Sequence, residues 1–449
     1  MRTLARAGLI ALIAVLSVAA WSAPATVDLD NGLRLIAVDS DQGRIAGMAV
    51  VIGCSIADEP DGLHGARALL QQIVVMDSHE AISEARRPAS AFVDPRSSGL
   101  SVNTDWDLVE VGFAAHVEEL DAGLRLLASH VFGAELTQER LEEARELVQR
   151  GYDLSHQSPV QGTFDLFRHA LYGDHPMARP MRGDPQELAA VELQPLQAFR
   201  DTHYVPANAV LCVVAPLPQE EIVSAATVVF GALESRPAPE PAQPPAPPER
   251  SLVEVDESAD LAQASMVVGV PAPGMAEPLR PAAEVIAALL EGRGGRLRRD
   301  LGLLQTLGLA VPTRLLREHY PVGTLPVPIS RHAFLAVHAL CTPMNIEHTR
   351  QRLLRHLLAL QTGTATEEEL ERARKRVINA HVRSRQTPSD QALYLARRAL
   401  FGLGGPQEAI ADIQAVTSED LTAVATRYFK RHAIGVQMPA TVARRVQHD

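Results

Sequence analysis
The chain has little cysteine: three residues in 449, Cys54, Cys212 and Cys341. An odd number cannot all pair, and the three sit inside apolar runs such as 209–215, so buried free thiols are expected rather than a disulfide framework. A basic excess is also missing. The net charge of -12 and pI near 5.8 exclude nucleic acid and anionic lipid as natural partners. After the first residues no segment approaches the roughly 20 apolar residues that a membrane span requires. Histidine occurs 16 times, but no two histidines stand four residues apart, the spacing that lets two imidazoles on one helix face share a metal. The stretch 292–295 is rich in glycine yet lacks the lysine and spacing of a phosphate loop, so nucleotide binding is not expected.

What is present begins with a leader. Arg2 and Arg6 precede an apolar run over 7–20 and the small residues Ala23-Pro24-Ala25, the pattern of a secretory signal peptide occupying residues 1–25. No cysteine stands at the candidate cleavage sites to accept a lipid. The expected location is therefore the periplasm, with full secretion as the alternative and no membrane span after cleavage. A second feature is the segment 236–250, RPAPEPAQPPAPPER, with seven prolines in 15 residues. It cannot join a core, and as a polyproline rod at about 3.1 Å per residue it spans roughly 45 Å. It splits the chain into an N-terminal domain, 26–235, and a C-terminal domain, 251–449.

The two parts are related. At an offset of 229, residues 137–173 align without a gap to 366–402 with 15 identities in 37 positions, including TQERLEEARELVQ against TEEELERARKRVI and RHALYG against RRALFG. Shared helical amphipathicity would not also match Pro159 with Pro388 and Gly173 with Gly402, so an internal duplication is the economical reading. At an offset of 224, Thr202, Tyr204 and Ala209 pair with Thr426, Tyr428 and Ala433. Each half reads as strands, then several helices, then a strand. In the first half strands are expected at 27–38, broken by the Asn31-Gly32 turn, at 46–52, over 101–115 and at 209–215; a helix is expected at 65–75, and helices dominate 118–204. This order gives an α+β fold class in each of two homologous halves.

The ordered motifs LDNGLRL (29–35), VVIGCSIADEPDG (50–62), YGDHPMARPMRGDPQEL (172–188) and Tyr204-x-Pro206-x-Asn208, with ALLEGRGGRL (288–297) and AVTSEDLTAVATRYF (415–429) in the second half, resemble the pitrilysin/insulinase zinc peptidases. The resemblance covers nearly the whole chain after the leader and implies two halves with mainly antiparallel sheets enclosing a central cleft. It implies H-x-x-E-H on the helix after the Asp-Glu-Pro turn, with a further zinc-binding Glu on a later helix. Counted from Asp58-Glu59-Pro60, those five positions are Ala68, Leu69, Leu70, Gln71 and Gln72, and the later glutamate falls near Gly151. Ala68 has no donor atom, an amide is a poor zinc ligand, and Gln71 cannot take a proton, a role typically worth about 10² to 10⁴ in rate. No catalytic residue and no metal ligand is therefore expected, and zinc, the cofactor of active members, is predicted absent.

Other residues carry weaker signals. His79-Glu80 begins like H-E-x-x-H, but Ser83 stands where the second histidine belongs; a solvated loop is expected there. His64 is read as a surface histidine. On the 65–75 helix, Ala66, Leu69, Leu70, Ile73 and Val74 form the apolar stripe, leaving Ala68, Gln71 and Gln72 on another face that lines a former cleft. The resemblance implies a substrate-holding Arg and Tyr in the second half. Arg296 matches the first, as a substrate-facing residue or an ordinary ion pair; Val311 replaces the second, and Arg298 and Arg299 say less. The leading expectation is the non-catalytic subunit of a periplasmic heterodimeric zinc endopeptidase, with a zinc-bearing homologous subunit and extended peptides as partners. The alternatives are a stand-alone peptide-binding or scaffolding protein and an active metalloendopeptidase with a divergent site.

Overall fold
The computed structural model describes residues 23–41, 43–84, 100–156, 158–246, 248–259, 261, 263–291, 295–297, 322–324, 327–363 and 365–439. The leader before residue 23, residues 292–294, Arg298, Arg299 and Val311 lie outside the described residues. No helix among the described residues is long and apolar enough to cross a membrane.

The first half runs β1 (Ala25–Asp28), β2 (Arg34–Asp39), β3 (Ile45–Ile52), α1 (Ala66–Glu84), β4 (Ser101–Thr104), β5 (Val109–His116), α2 (Leu120–Gly133), α3 (Gln138–His156), α4 (Pro159–Tyr172), α5 (Pro185–Ala190), α6 (Leu193–His203), β6 (Ala209–Ala215) and α7 (Gln219–Phe230). The second runs β7 (Leu252–Ala259), β8 (Ala264–Ala272), α8 (Arg280–Leu290), β9 (Val322–Thr324), β10 (Ala333–Cys341), α9 (Ile346–Leu358), α10 (Glu367–Arg383), α11 (Pro388–Leu400), α12 (Pro406–Ala415), α13 (Ser418–Tyr428) and β11 (Ala433–Pro439). The strands form a six-stranded sheet, β1-β2-β6-β3-β5-β4, and a five-stranded one, β7-β11-β8-β10-β9, which share one topology apart from the extra β1. In both, the last strand of the half inserts parallel to an early one, β6 to β2 and β11 to β7, and every other pairing is antiparallel. The duplicated segment lands on equivalent elements: Ala170 lies on α4 and Ala399 on α11. The repeated threonine also keeps its task, since Thr137 Oγ1 accepts the Arg140 N–H at 3.2 Å and Thr366 Oγ1 accepts the Glu369 N–H at 3.3 Å.

Strands β3 and β6 are buried along nearly their whole length, which an alternating surface strand would not be. Their second face is covered by the other half. Helix α11 brings Ala392, Tyr394, Leu395 and Ala396 onto Ile36, Val38, Ala49, Val51 and Cys212 of the first sheet. Reciprocally, α4 sets Phe167, Ala170 and Leu171 against Val267, Phe334, Ala336 and Ala433 of the second. The two exchanged helices come close because glycines admit them. A Cβ at Gly47 would overlap the Pro388 and Ser389 backbone, and one at Gly435 the backbone of Thr163 and Phe167. Polar contacts close the same seam: Arg397 pairs with Glu110, and Asp107 accepts from Ser330 Oγ at 2.9 Å and the Arg331 N–H at 2.6 Å.

The described residues of the proline-rich connector have no regular structure, and Ala242 and Gln243 touch the first half. Its Ala242 N–H donates to Asp58 at 3.2 Å, and the Gln243 carbonyl meets His175 Nε2 at 3.1 Å. All three cysteines are buried and free.

Candidate functional site
Helix α1 starts at a corner that tolerates no side chain. Gly65 has φ 88°, and a Cβ there would lie 2.5 Å from Leu188 Cδ2 and 2.9 Å from the Arg182 carbonyl oxygen. Glu59, from the Asp-Glu-Pro turn, caps this start by accepting the N–H groups of Gly65 and Arg67, each at 3.0 Å. That satisfies two orphan donors and places negative charge at the positive end of the helix. Arg67 returns Nε to the same carboxylate at 3.2 Å and gives Nη1 to the carbonyls of Cys54 and Asp105 at 3.0 and 2.6 Å. Both partners are fully enclosed, Arg67 at 0% and Glu59 at 2% exposure. This pair fixes the helix to the end of β3 and to the β4–β5 turn.

One turn further on are the positions of the metal motif. Ala68 keeps the i, i+3, i+4 relation to the glutamines but is buried in the core, which corrects the expectation that it lies outside the apolar stripe. The apolar stripe is wider than the sheet-facing one because α1 is also covered by α2, α3 and α6. Gln71 is tied to the edge strand: its Nε2 donates to the Val102 carbonyl at 2.9 Å, and its Oε1 accepts from Thr104 Oγ1 at 2.8 Å. Gln72 is half-buried beside it. Gly151 sits on α3, where a Cβ would meet Arg182 Nη1 at 2.5 Å, so a guanidinium occupies the space that a side chain from this position would enter. A zinc ion does not fit this set. One position has no donor, one amide is committed to the edge strand, and a cation stands where an anionic ligand is needed.

The second half repeats the tie that Gln71 makes. Glu291, just past α8, accepts from Thr324 Oγ1 of edge strand β9 at 2.6 Å, and Arg376 of α10 donates to the Ala288 carbonyl at 2.8 Å. Sequence reasoning missed Thr104, Glu291 and Thr324, because their spacing within each half carries no motif. The only signal was the duplication itself. Behind Glu291 lies a cavity of about 670 Å³ bounded by α8, α10 and α11 and lined by Glu284, Glu291, Arg376, His381, Arg397 and Arg398 among others. Glu284 accepts from Arg280 Nε at 2.8 Å and His381 Nε2 at 3.1 Å, and His381 Nδ1 meets the Tyr394 hydroxyl at 2.9 Å. Burial pushes the Glu284 carboxyl upward, but the bond from His381 and the charge of Arg280 outweigh it and hold the group down at about 2.

The remaining predicted residues scatter. His64 is buried, not on the surface: at 2% exposure its ring meets the Arg179 guanidinium and lies 3.6 Å from Asp61. Burial, then the charge of Arg179, lowers its pKa. His79 and Glu80 belong to helix α1 rather than to a loop, and their side chains lie outside the described residues. Arg296 gives Nη2 to Glu369 Oε2 at 2.6 Å with 11% of its side chain exposed. Glu369 also closes the capping box of α10.

With that geometry in place, relatives become informative. Residues 190–377 match the family described as Peptidase M16 inactive domain. An uncharacterized zinc protease of Mycobacterium leprae is 24% identical over 432 residues, covering 92% of this chain and 91% of that one. One from Mycobacterium tuberculosis is 24% identical over 429 residues with 92% of both chains covered. The chain is a homologue of the M16 (pitrilysin/insulinase) zinc peptidases. Solved M16-like folds agree. A protease from Helicobacter pylori superposes with a TM-score of 0.80 at 16% identity, over 93% of this chain and all of that one, 100%. A peptidase M16 inactive domain from Pseudomonas fluorescens gives 0.75 at 16% identity, covering 93% and 98%. The chain thus shares the α+β fold of these structures, and it carries Ala68, Gln71, Gln72 and Gly151 where the sequence reading places the zinc ligands and base.

Proposed function
We propose that this M16 homologue is the non-catalytic subunit of a periplasmic zinc endopeptidase, working beside a zinc-bearing homologous subunit and holding extended peptide in the cleft between its halves. The observation that carries the proposal is the state of α1 and α3. The donors are gone together, Gln71 is turned to structural use on β4, and Arg182 stands over Gly151. A chain under selection for hydrolysis would not convert its base position into a strap. Peptide capture needs none of those groups, because an extended segment joins a sheet edge through backbone donors and acceptors. Both sheets offer a short edge strand, β4 and β9.

The test is to mix the purified mature chain with the zinc-bearing homologue from the same cells. The expected result is association at micromolar concentration and a rise in the partner's peptidase activity, with no chelator-sensitive activity from this chain alone. A partner that is fully active alone and shows no association by light scattering overturns the subunit reading and leaves a stand-alone scaffold. Fractionation of the cells tests the location: the mature chain is expected in the periplasmic fraction without its leader.

A further inference from the structure
A second polar cluster lies under the start of α1 and uses none of the motif positions. Cys54 follows β3, Asp58 sits in the 3-10 turn Ile56–Asp58, and His203 ends α6; one ligand atom from each comes within 4.8 Å of the other two. The cluster is enclosed, with Cys54 at 0% and His203 at 8% exposure. Polar atoms in it and beside it lack a partner in the protein. His203 Nδ1, the Tyr204 hydroxyl and Arg67 Nη2 are buried without a hydrogen-bond partner, although such groups are nearly always paired in folded proteins. The backbone around the cluster is braced. Asn208 Nδ2 donates to the carbonyls of Gly53 at 2.6 Å and His203 at 2.9 Å, joining the two segments that bring Cys54 and His203 together. Asp58 is held by the Ser55 N–H on Oδ2 at 2.6 Å and the Ala242 N–H on Oδ1 at 3.2 Å, and each oxygen keeps a lone pair.

We propose that Cys54, Asp58 and His203 bind one structural divalent transition-metal ion of the zinc class. A thiolate, an imidazole and a single carboxylate are the donors of such ions; calcium and magnesium want an oxygen shell that this cluster lacks. As the metal–sulfur bond forms, the Cys54 thiol releases its proton to solvent. The site then balances its charge: the thiolate, Asp58 and Glu59 oppose the ion and Arg67. A metal-bound water completes the coordination and gives the orphaned polar atoms a partner. The ion joins the β3 end, the turn that anchors the proline-rich connector, and the α6–β6 junction. It lies apart from the zinc-motif positions, departs from the expectation that the chain holds no metal, and takes no part in peptide hydrolysis.

The experiment is a cobalt titration of the full mature chain after removal of bound metal. The expected result is saturation at about one ion per chain, with a thiolate-to-cobalt charge-transfer band in the near ultraviolet. Cys54→Ser is expected to abolish the band, Cys212→Ser to leave it, and His203→Gln to weaken binding by at least about tenfold. If Cys54→Ser does not fold, the wild-type band and its response to His203→Gln decide. No band in the wild-type chain, or a band that survives either Cys54→Ser or His203→Gln unchanged, overturns the site. Chelator-sensitive peptidase activity would instead overturn the proposed function, so the two readings fail separately.

Discussion

Arg67 and Glu59 hold the frame from which the motif positions of α1 project. The pair is buried without exposure to solvent and holds the helix start, the β3 end and the β4–β5 turn at once. Arg67→Met strands a buried carboxylate, and urea denaturation should show a loss of about 3–5 kcal/mol. Reinstating the motif with Ala68→His, Gln71→Glu and Gln72→His should give no near-normal chelator-sensitive peptidase, because Gly151 brings no carboxylate and Arg182 lies over it. An activity comparable to that of a zinc-bearing relative would refute that placement. Arg296→Ala should lower stability through the lost bond to Glu369, by about 1–3 kcal/mol in thermal or urea melts, while peptide affinity in fluorescence titration stays unchanged. The identities at 68, 71 and 72 were legible because one helix numbers them consecutively. The buried state of His64 and Ala68 was not, since exposure depends on which elements cover a helix.

Helices α4 and α11 sit at equivalent positions of the duplicated sequence, and each covers the sheet of the opposite half. Their amphipathic pattern was readable, but pattern alone does not say which sheet receives a helix. The deciding contact is a glycine facing a helix backbone. Gly47→Val should push the α11 start off β3, costing about 1–3 kcal/mol or more, and scanning calorimetry should then show the two halves unfolding less cooperatively. An unchanged melting profile would mean the seam is looser than this packing. Edge strand β4 is held by Gln71, so Gln71→Ala should cost about 1 kcal/mol locally and raise hydrogen exchange at Ser101–Thr104 without altering the core strands.

The whole chain is joined through its seam and the cavity beside it, and there pH should act. Glu284 titrates at about 2 in the folded chain, below its ordinary value, held down by His381 and Arg280 against the cost of burial. A depressed carboxyl contributes stability that is complete above the unfolded pKa near 4.3 and is lost as pH falls from there towards 2. Acid titration of folding stability should therefore show a steeper fall in this window for the wild type than for Glu284→Gln. Equal slopes would remove Glu284 from the acid response. The sequence by itself determined the two-fold repeat, the order of strands and helices, the cysteines' free state and the vacant motif, because periodicity, turn residues and consecutive helix positions are local properties of the chain. Only the tertiary structure decided that the halves exchange helices, that Gln71 and Glu291 fasten the two edge strands, that Arg296 faces Glu369, and that Cys54 and Asp58 meet His203. Each of these brings together residues far apart in the chain, or a residue and the strand folded beside it. Their proximity is fixed by backbone packing and burial, which no spacing in the sequence encodes.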